Sequence, residues 1–166
     1  MQRRSLVLAL SGAALLSACG FRLRGADGKS GLPFRTVYIG VPERSPLGVE
    51  LKRYIRASED TTIVAEPKEA EAVIEILSET RDRATLSLNT QGRVREYSLY
   101  YRLTFQVKNA AGGVLLAPTE LVLKRDISFN ESQVIAKEKE EDMLYRDMQS
   151  DAVQQILRRM SALKPA

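Results

Sequence analysis

The 166-residue chain reads as an α+β protein, a two-layer sandwich with two helices packed on one face of a mixed, mostly antiparallel sheet of about four strands. Three features carry that expectation. From Glu96 to Lys108, the apolar residues Tyr97, Leu99, Tyr101, Leu103, Phe105 and Val107 alternate with polar ones, the period of a strand with one face on a core. Near the C-terminus Leu144, Met148, Ala152, Ile156, Met160 and Leu163 recur every four or three residues, the period of an amphipathic helix. The elements run strand, helix, three strands, helix, an order that suits helices layered on one sheet.

The first element is an address. Arg3 and Arg4 precede a short apolar run, Leu6–Leu10 and Ala13–Leu16, and small residues then lead to Cys19. Residues 1–18 therefore read as a lipoprotein signal peptide, too short to span a bilayer, with Cys19 as the lipidated mature N-terminus. Several acyl chains on Cys19 would hold the mature protein on a membrane. Gly20 follows the cysteine in place of the aspartate associated with inner-membrane retention, so the outer membrane is expected. Residues 19–32 are rich in glycine, serine and charge and read as a flexible tether, and 33–164 as a single domain.

Within that domain Arg35–Val41 is β-branched and aromatic and stops at Pro42, as a first strand should. Ser45-Pro46 then offers an N-cap and a first-turn proline for a helix carrying Leu47, Leu51, Tyr54 and Ile55 on its core face. A short extended piece is expected at Thr62–Val64. A strand follows from Ala70 towards Leu86, with Ala72, Ile74 and Ile76 on one face. Asn89-Thr90-Gln91-Gly92 turns the chain into the alternating strand, and Asn109–Gly113 turns it out again. The next strand carries Leu121, Leu123, Ile127 and Phe129, and Pro118 marks it as an edge or bulged strand. The last helix runs from about Ser132 to Leu163, with Lys137 paired to Glu141 one turn on.

Composition narrows the function. Histidine is absent and Cys19 is the one cysteine, which excludes intrachain disulfides, the common metal sites and any histidine-dependent catalysis. Of 25 basic residues two are Arg3 and Arg4, leaving 23 against 21 acidic residues, too balanced for a nucleic-acid binder. No cofactor is expected, and no catalytic residue. The consecutive charges of Lys137–Asp142 point around a helix into water and do not make an acid–base pair. Charge is concentrated instead between Arg81 and Lys108, where six basic residues face Asp82 and Glu96 for a net +4. Such a hairpin can bind phosphate or carboxylate through guanidinium forks, or simply be a solvated strand face. Tyr97 and Tyr101 share the core parity and are expected to pack there. A membrane-anchored binding module is the reading these residues support.

Three short motifs add a resemblance. Cys19-Gly20-Phe21-Arg22-Leu23-Arg24, Gly92 followed by Glu96-Tyr97, and Ala136-Lys137 with Asp142-Met143 occur in the order in which the LptE family of lipopolysaccharide-assembly lipoproteins carries similar motifs. The chain resembles that family over the whole mature length. The resemblance implies an outer-membrane lipoprotein that plugs and helps assemble a large LptD β-barrel and binds lipopolysaccharide during its delivery to the outer leaflet. It further implies lipopolysaccharide contacts at Lys137 and, beside the turn, at Arg93 and Arg95. The alternative is a free periplasmic lipid or lipoprotein carrier, which needs a concave apolar pocket.

Overall fold

The protein is described from a computed structural model over residues 31–58 and 60–164. Its elements are β1 (Thr36–Gly40), α1 (Pro46–Arg56), β2 (Thr62–Ile63), β3 (Ala72–Leu88), β4 (Val94–Lys108), β5 (Val114–Ser128) and α2 (Val134–Ser161). The five strands form one sheet in the order β2-β1-β3-β4-β5. β1 runs parallel to both β2 and β3, whereas β3, β4 and β5 are a long antiparallel meander. The sheet is mixed and mostly antiparallel as expected. Its fifth strand is the two-residue piece at Thr62–Ile63, whose pairing with Thr36–Val37 makes an extended segment into an edge strand.

Both helices supply the layer above one face. Leu47, Leu51 and Ile55 from α1 and Met148, Ala152, Ile156 and Met160 from α2 join Leu99, Tyr101, Leu103, Phe105 and Val107 from β4 in one buried cluster. α1 starts as its sequence dictates: the Ser45 hydroxyl accepts the Gly48 N–H and Pro46 takes the first turn. Tyr54 departs from expectation, lying on the exposed side under the Arg53 guanidinium while Gly48 and Glu50 turn inward. α2 begins at Val134 after a 3-10 turn at Glu131–Gln133, and buries Tyr145, Gln149 and Val153 in addition to the four-spaced row.

β3 changes face part-way along. Ile74 and Ile76 stand opposite Val107 and Phe105, but a bulge between Ile76 and Ser78 then places Glu79, Arg81 and Arg83 opposite Leu103, Tyr101 and Leu99. One extra residue reverses the parity of everything after it. Residues directly opposite in an antiparallel pair share a face, so Arg81 and Arg83 lie on the helix side. Beyond Glu75, where β1 ends, β3 loses its neighbour on that side.

Among the described residues the other face of the sheet has no helix on it. Cross-strand rows of Glu75, Gln106 and Lys108, of Thr80, Arg102 and Val122, of Asp82, Tyr100 and Lys124, and of Ser98 and Asp126 cover it. These groups pair with one another. Lys108 and Gln106 both donate to Glu75, Arg102 reaches Asp82, and Lys124 and the Ser98 hydroxyl meet at Asp126. The polar side of β4 is consequently less wet than simple alternation predicts, with Ser98 and Gln106 buried beneath their neighbours. Hydrogen bonds from Ser98, Lys124 and the pair on Glu75 hold the Asp126 and Glu75 carboxyls below their ordinary range. Pro118 sits on edge strand β5, beside register shifts that oppose Phe105–Lys108.

Candidate functional site

The far end of the meander is where the sequence-predicted contact residues meet. In the β3–β4 turn the Asn89 side-chain oxygen accepts the N–H groups of Gln91 and Arg93, and Gly92 takes φ 74°, where a side chain would be strained. That turn aims Arg93 at the segment after β5, where its guanidinium bonds Glu131 at 2.7 Å. The Phe129 N–H donates to the Arg95 carbonyl, and the Phe129 ring stands edge-on to Tyr97 with centroids 5.3 Å apart. Asn130 caps the following turn through the Ser132 N–H, and α2 then starts. Lys137, one turn into α2, donates to the Ser128 hydroxyl at 3.0 Å and to Glu140 at 2.8 Å.

Arg93 and Arg95 are thus joined to Lys137, over 40 residues on in sequence, through Glu131, Phe129 and Ser128 at one end of the sheet. Lys137 pairs with Glu140, not with Glu141 as its spacing suggested. Glu141 is taken by Arg83 at 3.2 Å, because the β3 bulge has turned Arg83 towards α2. Arg83 also lies 5.0 Å over the Tyr97 ring. Behind Lys137 a cavity of about 110 Å³ is floored by Tyr97, Ile127, Phe129 and Val134. A cation above a small apolar floor suits the junction between a phosphorylated sugar and an aliphatic group. Cys19 lies outside the described residues.

The excess charge of the hairpin is largely spent inside the molecule. Arg81 donates to Gln149, Arg83 to Glu141 and Arg93 to Glu131, while Arg102 and Lys108 pair with Asp82 and Glu75. Arg95 alone among the hairpin cations has no side-chain partner among the described residues. Exposed pairs such as Arg93–Glu131 are worth little and exchange readily for a phosphate. Tyr97 and Tyr101 pack towards the core as expected, Tyr101 fully buried with its hydroxyl donating to Glu79. Burial and the Glu79 carboxylate push the Tyr101 phenol well above its usual range. Among the described residues no group of three or more acids, cysteines or histidines is placed to hold a metal ion.

Sequence reasoning did not find Glu131 or the pairing of Arg83 with Glu141. The available signal was that residues 78–83 are polar in both parities, so neither face announced itself as core.

Residues 34–160 match the family model described as LptE, lipopolysaccharide-assembly. The chain belongs to the LptE family. An LPS-assembly lipoprotein LptE from Pectobacterium atrosepticum is 26% identical over 96% of the chain and 86% of its own length. That of Yersinia enterocolitica is 27% identical over the full chain and 80% of its own. Among solved structures, uncharacterized lipoprotein B from Nitrosomonas europaea superposes with a TM-score of 0.73 at 43% identity, covering 86% of this chain and 91% of that one. A minor lipoprotein from Acinetobacter baumannii gives 0.64 at 25% identity over 81% and 98%. Membership of the LptE family carries a role in lipopolysaccharide assembly. No helix among the described residues is long and apolar enough to cross a membrane.

Proposed function

We propose that the chain is an outer-membrane lipoprotein, anchored through acyl chains on Cys19, that plugs an LptD-like β-barrel and contacts lipopolysaccharide at Lys137, Arg93 and Arg95. The observation that carries this reading is the uncovered sheet face. Fifteen-residue strands present a mostly polar surface, interrupted by Val122 and the Tyr100 ring, most of whose charges are already paired within the molecule. Such a surface can enter a water-filled lumen at low desolvation cost, because few polar groups lose a partner. The helix layer covers the opposite face and fills the core.

A free lipid carrier is disfavoured by the same geometry. It needs a large apolar cavity, whereas the groove of about 640 Å³ among the described residues is rimmed by arginine and carboxylate side chains. Affinity capture of the tagged chain from detergent-solubilised membranes tests the plug. One large heat-modifiable barrel protein in equimolar amount is the expected result, and recovery of the chain alone with bound lipid would favour the carrier. Cys19→Ala serves as the anchor control. It removes the acylated thiol, and the chain should then wash off membranes that lack the barrel.

A further inference from the structure

A second site lies away from the hairpin end. Where β1 stops covering β3, the helices leave a groove of about 640 Å³ bordered by Glu50 and Arg53 of α1, Arg81 of β3, and Asp142, Arg146 and Gln149 of α2. The volume falls in the range of small-molecule sites.

Glu50, Gln149 and Arg81 are held in fixed positions in this groove. Glu50 is buried, and both its oxygens are occupied: one by the Ser150 hydroxyl at 2.7 Å and Arg53 at 3.3 Å, the other by the Gln149 amide at 3.1 Å. The Gln149 oxygen in turn accepts from Arg81 at 3.2 Å, and the Arg81 guanidinium lies 5.5 Å from the Tyr145 ring centroid and 5.9 Å from that of Tyr101. Arg81 is therefore oriented by one hydrogen bond and two rings, without a carboxylate partner. A guanidinium has five N–H donors, and Arg53 and Arg81 each commit one to these neighbours. Arg146 commits none among the described residues. Three guanidinium groups thus border a groove in which Glu50 is already satisfied and Asp142 is the one carboxylate left over.

We propose that this groove binds a phosphorylated saccharide. The phosphate sits among Arg53, Arg81 and Arg146, and Asp142 accepts sugar hydroxyls. Guanidinium forks match phosphate oxygens in pairs, and a lone carboxylate beside them selects hydroxyl donors over a second anion. The site shares no lining residue with the Lys137 cavity, whose wall on this side is the Arg83–Glu141 bridge. The proposal deepens the lipopolysaccharide reading by adding a contact for a headgroup sugar, and it rests on that reading only for the natural source of the sugar.

Calorimetric titration of the full chain in detergent micelles tests it, with glucosamine 1-phosphate, glucosamine and inorganic phosphate as probes. Glucosamine 1-phosphate should saturate one site, inorganic phosphate should bind more weakly, and glucosamine should not bind measurably. Arg53→Gln with Arg146→Gln should weaken the sugar phosphate at least about tenfold. Arg146→Gln alone, which disturbs no internal bond, should give a smaller loss at an unchanged melting temperature. Lys137→Glu should leave this binding intact. Non-saturable binding, or equal binding by the arginine variants, overturns the site. Equal affinity for inorganic phosphate overturns the saccharide part. Loss of sugar-phosphate binding in the arginine variants, with whole lipopolysaccharide failing to compete in the wild type, supports the site and counts against the lipopolysaccharide reading.

Discussion

Leu103 and Thr104 are neighbours on β4 that sit in opposite environments. Leu103 is buried between Glu79 of β3 and Leu121 of β5, under the helix layer, whereas Thr104 faces away beside Ser78 and Glu120. Leu103→Asp puts an unpaired charge in the core and should cost several kcal/mol, comparable with the whole stability of a domain this size. Thr104→Lys opposes Glu120 and should change stability by no more than about 0.5 kcal/mol. Urea midpoints of the two variants check both, and equal losses would contradict the face assignment. Gly48 tests close packing instead of polarity. It is buried in the first turn of α1, and a Cβ there would meet the Val41 methyl. Gly48→Ala should therefore destabilise although alanine is the better helix former by about 1 kcal/mol. Adding Val41→Ala should recover most of the loss, a coupling that a double-mutant cycle reads directly. The core-face residues of β4 and the Ser45 cap were legible because each signal is local. The contact between Gly48 and Val41 was not, since it depends on where the chain returns after Pro42.

At the scale of elements, β3 shows where the reading stopped. Its first half alternates visibly, but the bulge at Leu77 hands the helix-side positions to Glu79, Arg81 and Arg83, which no hydrophobic pattern marks. Lys137 was placed correctly at the start of α2 and given the wrong acidic partner for this reason: the Arg83 that takes Glu141 comes from a strand whose parity the sequence conceals. Deleting Leu77 should close the bulge and leave Glu79, Arg81 and Arg83 opposite the same β4 residues, because Ser78 then follows Ile76 directly in register. The predicted outcome in urea midpoints is a loss of about 2 kcal/mol or less, from the altered local twist, against less than about 1 kcal/mol for Leu77→Ala, whose side chain is exposed. The bare face gives a pH test of the sheet itself. Glu75 and Asp126 have folded-state pKa values below their unfolded ones, so their contribution is fully present above the unfolded carboxylate range, about pH 4, and is lost as pH falls through the lower folded values. Denaturant midpoints should thus decline below about pH 4, and Glu75→Gln with Asp126→Asn should flatten that part of the profile. An unchanged slope in the double variant would show that the cross-strand pairs do not carry the dependence.

On the scale of the whole molecule, the contact residues sit where they can be altered without touching what holds the fold. The core lies between the sheet and the two helices. The uncovered face has its own set of ion pairs, and Arg93, Arg95 and Lys137 occupy the end where the β3–β4 turn meets the start of α2. Their convergence was only partly legible: motif order suggested that they act together, but the link through Glu131, Phe129 and Ser128 exists only once β5 returns beside β4. The three differ in what they give up. Arg95 has no side-chain partner among the described residues, Arg93 releases an exposed pair with Glu131, and Lys137 is mostly covered and releases both Ser128 and Glu140. Charge reversal to glutamate should therefore cost least stability at Arg95 and most at Lys137, where the new carboxylate would stand beside Glu140. Lipopolysaccharide binding should fall in every single variant and by tenfold or more in the triple, with the residual binding less sensitive to salt because fewer charge contacts remain to be screened. Barrel capture should persist in the triple variant, because the uncovered face is unaltered. Binding of labelled lipopolysaccharide across a salt series, alongside thermal melts and the capture assay, separates these effects. A folded triple variant that binds lipopolysaccharide as the wild type does would remove the ligand role from this end and leave the plug role to stand on the sheet face alone.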